Sequence, residues 1–289
     1  MLLEQVVSGL ASGSLYGLFA LALVMIYRGT DVVNFAQGEM AMITVFVALT
    51  LMKAGLSFWA AFGCTLVFAA LLGAVAERFI IRYVSQGAVL NLVIVTVGMF
   101  TVCNSLAGWI WGYIPEPFPT PLEGGAPLRL GGIVVTRYTL VILAVAVTIM
   151  VLLYTFFTFT TVGIAMRAVA QNRTASRLMG IPVNRMLLLS WALSSVLGAV
   201  AGVLVAPLTY VDPNAMSGLL VYAFASAVLG GLDSPVGAVI GGLLVGVVEN
   251  LAGAYLGSEL KLSFAFALIV GVLVIRPAGL FGHAQPKKV

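Results

Sequence analysis

The chain has 289 residues, of which 62% are hydrophobic and 8% charged, where an ordinary soluble domain carries about a quarter charged residues. That is too little charge to coat a globule in water, so the sequence reads as an integral membrane protein, one all-α transmembrane domain over 1–289. Fourteen Lys and Arg against ten Asp and Glu leave a net charge of +4, but the basic residues stand singly beside apolar stretches, a pattern of membrane orientation and not of nucleic-acid binding.

A spanning helix needs about 20 apolar residues to cross the hydrocarbon. Windows of that kind predict crossings near 6–27, 37–52, 57–76, 90–112, 138–160, 187–209, 236–256 and 262–275. A shorter segment at 217–231 is either a short crossing or a re-entrant element packed inside protein, so the expected bundle has eight or nine helices. The first segment carries Glu4 and no Lys or Arg among its first ten residues. It lacks the basic region of a signal peptide and is expected to be retained. Within it Gly9, Gly13 and Gly17 form two consecutive G-x-x-x-G steps, and Gly198/Gly202, Gly237/Gly241, Gly242/Gly246 and Gly253/Gly257 repeat the step. Helices in lipid lack a hydrophobic drive to associate, so these small surfaces predict close packing, of Gly9, Gly13, Gly17, Gly237 and Gly241 above all.

Polar groups at membrane depth are costly and are candidates for function. Ser12, Ser14 and Tyr16 lie in the first span, Asn34, Gln37 and Glu39 where the second begins, Asn91, Thr96 and Asn104 in the fourth, and Glu249 with Asn250 near the end of a late span. Ser14, Asn34, Gln37, Glu39, Thr96 and Asn104 are the candidate lining of a translocation pathway. Glu39 has a second reading, a carboxylate placed to favour the positive end of its helix. Cys64 and Cys103 fall inside apolar runs and read as small packing residues.

Two connections stand out. The proline-rich stretch 113–137 reads as an extended extracytoplasmic connector. The stretch 161–186 carries four Arg and no acid, with Ala165, Ala168, Val169, Leu178 and Met179 forming an interrupted apolar face, Gly180 at a helix C-cap position and Pro182 beyond it. It predicts one or two short helices on the cytoplasmic side. Composition alone leaves open whether they are drawn to anionic headgroups or dock a cytoplasmic subunit. With the N-terminus outside, ten basic residues face the cytoplasm and four face out, which places the C-terminus in the cytoplasm. Asn172-Arg173-Thr174 then matches a glycosylation acceptor by chance.

Several chemistries lack their residues. None of the four lysines follows a glycine, so there is no phosphate-binding loop. The single histidine, His283, stands in the C-terminal tail. No metal site, cofactor or catalytic residue is expected, and the chain reads as a non-enzyme.

The string Val33-Asn34-Phe35-Ala36-Gln37-Gly38-Glu39-Met40, after a first span of glycine steps, resembles the opening of permease subunits of branched-chain amino acid ABC transporters, the LivH type. Residues 163–181, the run Ala227-Val228-Leu229-Gly230-Gly231-Leu232-Asp233-Ser234 and the closing Arg276-Pro277-Ala278-Gly279-Leu280-Phe281-Gly282 are similar to later patterns of that family, in the same order. The resemblance implies a type II ABC importer-like permease of the bacterial inner membrane, moving branched-chain (hydrophobic) amino acids. Its implied partners are a second permease subunit (LivM-like) or a second copy, two cytoplasmic ATPase subunits, an extracytoplasmic substrate-binding protein and the lipid bilayer itself. It also implies that 161–186 is a coupling loop, with Arg167, Ala175 and Gly180 at the matching positions. Arg28-Gly29-Thr30 departs from the less charged turn that members often carry. Relatives for urea or short amides, and simple-sugar permeases, share the general pattern. The reading from another class is a carrier or channel independent of ATP, for which Glu39 and Glu249 are the available membrane-buried acids.

Overall fold

The computed structural model describes residues 2–85, 87–120, 128–130 and 133–282. His283, Lys287 and Lys288 lie outside the described residues. The helices are α1 (Leu2–Thr30), α2 (Gln37–Lys53), α3 (Phe58–Ala76), α4 (Arg82–Val84), α5 (Val89–Trp111), α6 (Arg137–Phe159), α7 (Thr161–Gln171), α8 (Arg173–Leu178), α9 (Val183–Val205), α10 (Ala215–Gly230), α11 (Pro235–Tyr255) and α12 (Lys261–Ile275). A π turn at Glu77–Ile81 joins α3 to α4, giving one rod from Phe58 to Val84. Among the described residues two short antiparallel pairings occur: β1 (Glu116–Pro117) with β4 (Tyr210–Val211), and β2 (Leu128–Leu130) with β3 (Ile133–Val135).

Among the described residues seven helical rods are long and apolar enough to cross a membrane, and α2 with 17 residues and α10 with 16 fall below that length. The expected count of eight or nine therefore turns on two short helices. The third span also runs further than its apolar window: Arg78 and Arg82, expected in a loop, sit on its helical extension.

Helix starts follow from side-chain caps. Ser57, Thr136, Thr160, Asn172 and Ser234 each accept a hydrogen bond from the backbone N–H three residues on, satisfying donors that the helix cannot. Asn172, the first residue of the apparent glycosylation acceptor, is thus the cap of α8.

The core is built around α1 and α9, which are buried over most of their length, while α3, α5, α6 and α12 present most of their surface outward. A helix apolar all round belongs either inside a bundle or against lipid, and both cases occur here. Glycine sets the closest approaches. Cβ atoms at Gly9 and Gly13 would lie 2.7 Å from the Val247 Cα and the Gly242 carbonyl, and Gly242 and Gly246 oppose the Gly17 and Gly13 backbone in return. Gly237 and Gly241 face the other way, onto Gly230 and Ser226 of α10. Helix α11 is therefore bare on two sides, one for each neighbour. The Gly253/Gly257 step does not pack two helices. Gly253 instead clears a path for the Lys261 side chain, and Gly257, at φ 111°, forms a turn.

Candidate functional site

The chain between α1 and α2 does not simply turn outside the bundle. Asp31 takes φ 59°, and Val32, Asn34 and Ala36 are buried. Gln37, the first residue of α2, donates from Nε2 to the Ser194 carbonyl at 3.1 Å, and Ser194 Oγ donates to the Ala22 carbonyl at 2.8 Å. Ser194 is eleven residues into α9 and Ala22 eight residues before the end of α1. At 1.5 Å per residue, α2 begins about 12–16 Å inside the bundle's end. Residues 31–36 cover that depth without a helix, which apolar surroundings tolerate only where the backbone is enclosed by protein or lines a cavity.

Local chemistry explains the break. Asn34 Oδ1 accepts from the Ala36 N–H at 3.1 Å, and Asn34 Nδ2 donates to Gln37 Oε1 at 3.2 Å, a side-chain turn that competes with a helix. Gly198 leaves the space the amide needs, since a Cβ there would lie 2.7 Å from Gln37 Nε2.

Two residues on, and on the opposite side of α2, Glu39 is buried and accepts from Asn104 Nδ2 at 3.3 Å. The same amide donates to the Pro213 carbonyl at 2.9 Å and approaches Asn214 Oδ1 at 3.4 Å. Asn104 thereby ties α2 and α5 to the start of α10. Of the six candidate pathway residues, Asn34, Gln37, Glu39 and Asn104 converge on this broken end of α2. Ser14 and Thr96 do not join them: each is buried and returns its hydroxyl to its own helix, on the Leu10 and Val93 carbonyls. Ser194, Pro213 and Asn214 complete the seam. Their adjacency to α2 is long-range and carried no signal in the sequence.

A second polar group lies among α1, α10, α11 and α12. Glu249 pairs with Lys261 at 2.8 Å and accepts from the Tyr16 hydroxyl at 3.1 Å, while Tyr16 stacks on Tyr222. Here the late-span acid is neutralised by an ion pair, and Asn250 reaches Ser12 at 3.4 Å.

The arginine-rich stretch folds as two helices, α7 and α8, meeting at Asn172. Gly180 ends α8 at φ 78°, with its N–H on the Arg177 carbonyl and that of Ile181 on Ser176. The hairpin is fastened to the bundle: Met166 and Val169 are buried, and the Arg173 guanidinium donates to the Gly29 carbonyl at the end of α1. Arg28-Gly29-Thr30, expected as a turn, forms the last residues of α1 and is where the hairpin is held. The expected apolar face divides. Val169 packs inward, whereas Leu178 and Met179 are 85% and 82% exposed at the tip. Ala175 and Gly180 are exposed beside them, and Arg167, also exposed, flanks a small cavity with Arg28, Met25 and Phe157.

The model of one protein family, described as "Branched-chain amino acid transport system / permease component", matches residues 5–273. Among individual proteins, the chain is 32% identical to the high-affinity branched-chain amino acid transport system permease protein BraD of Pseudomonas aeruginosa, over 99% of this chain and 98% of that one. It is equally 32% identical to the LivH permease protein of Escherichia coli, over 99% and 97%. Among solved structures, PsaBC from Streptococcus pneumoniae in complex with Fab aligns with a TM-score of 0.53 at 14% identity, covering 94% of this chain and 91% of that one, a likeness of fold alone.

Proposed function

The chain belongs to the branched-chain amino acid transport permease family, and on that premise we propose that it is the membrane-spanning subunit of an ATP-binding cassette importer carrying branched-chain amino acids. The observation that carries the reading is the end-to-end likeness to BraD and LivH, which covers 99% of this chain and 98% and 97% of theirs. Energy and capture belong to partners: two cytoplasmic ATPase subunits, an extracytoplasmic binding protein, and a second permease subunit or a second copy completing the path.

In this proposal α2 and α10 both count as crossings, giving nine with the N-terminus outside and the C-terminus in the cytoplasm. Helix α10 starts beside Asn104 and ends where the Leu229 and Gly230 carbonyls accept from Leu280 and Phe281 of the closing segment. The arginines of α4, α7 and α8 then lie on the cytoplasmic side, as the positive-inside rule favours.

The geometry suits a relay. ATP-driven closure of the partner subunits moves the α7–α8 hairpin as a rigid piece, with Leu178 and Met179 as its apolar tip. Arg173 passes the displacement to the end of α1, and residues 31–36 pass it on to the polar seam at the start of α2. The seam's amides and carboxylate take over polar contacts of the moving solute, while selectivity rests mainly with the binding protein. A carrier independent of ATP fits less well, because Glu249 is held by Lys261 and the fastened hairpin has no role in it.

Uptake of labelled leucine, isoleucine, valine, urea and ribose into vesicles holding the assembled complex, with and without ATP, tests both substrate and energy source. ATP-dependent entry of the three branched amino acids is expected; entry of urea or ribose instead, or entry without ATP, refutes the proposal. Gly180→Pro and Arg167→Glu are expected to abolish substrate-stimulated ATP hydrolysis by the same complex, and unchanged coupling removes the hairpin from the mechanism.

A further inference from the structure

The π turn shapes a second feature, at the same end of the molecule as the hairpin. An extra residue in the turn sets positions five apart above one another, and the Arg82 N–H bonds the Glu77 carbonyl across it. The side chains repeat the spacing: Arg82 Nε and Nη2 grip Glu77 Oε1 and Oε2 at 3.2 and 2.7 Å, a two-pronged pair. Glu77 is 2% exposed, so its charge is spent on Arg82.

Around this pair two cavities adjoin. One, of about 450 Å³, is lined by Glu77, Arg82, Ser85, Arg173, Arg177 and Asn184. The other, of about 460 Å³, is lined by Arg78, Arg82, Arg177, Pro182, Asn184 and Arg185. They share Arg82, Arg177 and Asn184. Five guanidinium groups thus converge with one acid among them. Among the described residues no acid pairs with Arg78, Arg177 or Arg185. Such a cleft asks for an anion, and planar guanidinium forks favour phosphate.

The setting selects the kind of phosphate. Below Arg78 the outer face of the rod carries Leu71, Val75 and Phe79 at 60%, 51% and 66% exposure, and Tyr83 projects at its end. This is an apolar rib running from the cleft along a membrane-crossing helix, capped by an aromatic of the type that sits at the lipid–water boundary. We propose that the cleft between α4 and the base of the α7–α8 hairpin binds the phosphodiester headgroup of an anionic phospholipid, whose acyl chains lie along Leu71, Val75 and Phe79. The lipid bridges the outer rod to the hairpin through Arg78 on one side and Arg177 and Arg185 on the other. The inference needs only that this end of the rod lies at a membrane surface, and it stands apart from the identity of the transported solute.

The test is native mass spectrometry of the full chain released from detergent, titrated with phosphatidylglycerol, phosphatidylcholine or inorganic phosphate. Phosphatidylglycerol is expected to remain bound where phosphatidylcholine and inorganic phosphate do not. At about 1 kcal/mol for each basic residue near a lipid surface, Arg78→Gln with Arg177→Gln is expected to weaken phosphatidylglycerol binding about 30-fold. Arg276→Gln, an exposed arginine at the end of α12, is expected to leave it unchanged. Arg82 is kept, because its loss strands the buried Glu77 carboxylate. Should the double variant lose its helical circular dichroism, the exposed single variants Arg78→Gln and Arg185→Gln carry the test, each weakening binding about fivefold. Equal loss with Arg276→Gln, equal retention of phosphatidylcholine, competition by inorganic phosphate at matching concentration, or a folded variant that keeps phosphatidylglycerol each overturns the proposal.

Discussion

Gly13→Ala and Gly63→Ala add the same methyl group to two transmembrane helices, and the structure sets their effects in opposite directions. In a helix interior, alanine in place of glycine gains about 0.5–1 kcal/mol from backbone entropy. At Gly63, on the outer face of α3, nothing lies within 4 Å of the added Cβ, so the gain stands alone. At Gly13 the Cβ meets the Gly242 carbonyl at 2.7 Å and the Leu243 Cα at 2.8 Å, where carbon contacts settle at about 3.5–4.0 Å. No rotamer change relieves a clash with backbone, so α1 and α11 must part by about 1 Å. A gap of that size forfeits a quarter to a half of the dispersion energy of the atoms involved, and overfilling a packed site costs about 1–3 kcal/mol. Net of the helical gain, Gly13→Ala is expected to destabilise by about 1–2 kcal/mol. Unfolding by sodium dodecyl sulfate in mixed micelles, followed by circular dichroism, measures both. A Gly13→Ala midpoint at or above that of Gly63→Ala refutes the claim that backbone contact between α1 and α11 sets their spacing.

Other expectations follow from the polar groups and the hairpin. Lys261→Met leaves Glu249 buried without its counter-charge; since Lys261 is itself one-third exposed, the cost is about 1–3 kcal/mol, and adding Glu249→Gln is expected to recover most of it in the same unfolding assay. Glu39→Leu spares the bond from Asn104 to the Pro213 carbonyl, so the protein is expected to stay folded while uptake falls to background; normal uptake counts against a pathway role for the seam. At Gly180 the positive φ makes Gly180→Asn tolerable and Gly180→Val strained by about 1–2 kcal/mol. Substrate-stimulated ATP hydrolysis is therefore expected to survive the first change and fall with the second.

Seven of the expected spans were legible because each is a long apolar run, and the glycine steps were legible because a four-residue spacing repeats on one side of a helix. The sequence carried α8 and its Gly180 terminus for a similar reason, as caps are local. What escaped it was relational. The apolar window for the third span closed at Ala76, and nothing in Glu77-Arg78-Phe79-Ile80-Ile81 announces a π turn that carries two arginines onward in the rod. Leu178 and Met179 matched one apolar helical face with Val169 by spacing, but they stand exposed at the tip while Val169 packs inward. Gly253 fitted the packing motif while serving a lysine stem. Asn34, Gln37, Glu39 and Asn104 stood out as polar residues in apolar runs, whereas their partners Ser194, Pro213 and Asn214 are known only from the way α9 and α10 come back across α2.

The bareness of α11 on two sides also bears on leakage. With α1 against one glycine face and α10 against the other, the three helices close so tightly that Tyr16 and Tyr222 stack at 4.9 Å around them. Where backbones touch, there is no room for even a single file of water, which needs a gap about one molecule wide and polar partners along it. Along its glycine contacts this trio leaves no water-wide gap. In the proposed assembly a watery route would then run on the other flank, past the unwound start of α2, where a second permease subunit or a second copy would complete the wall.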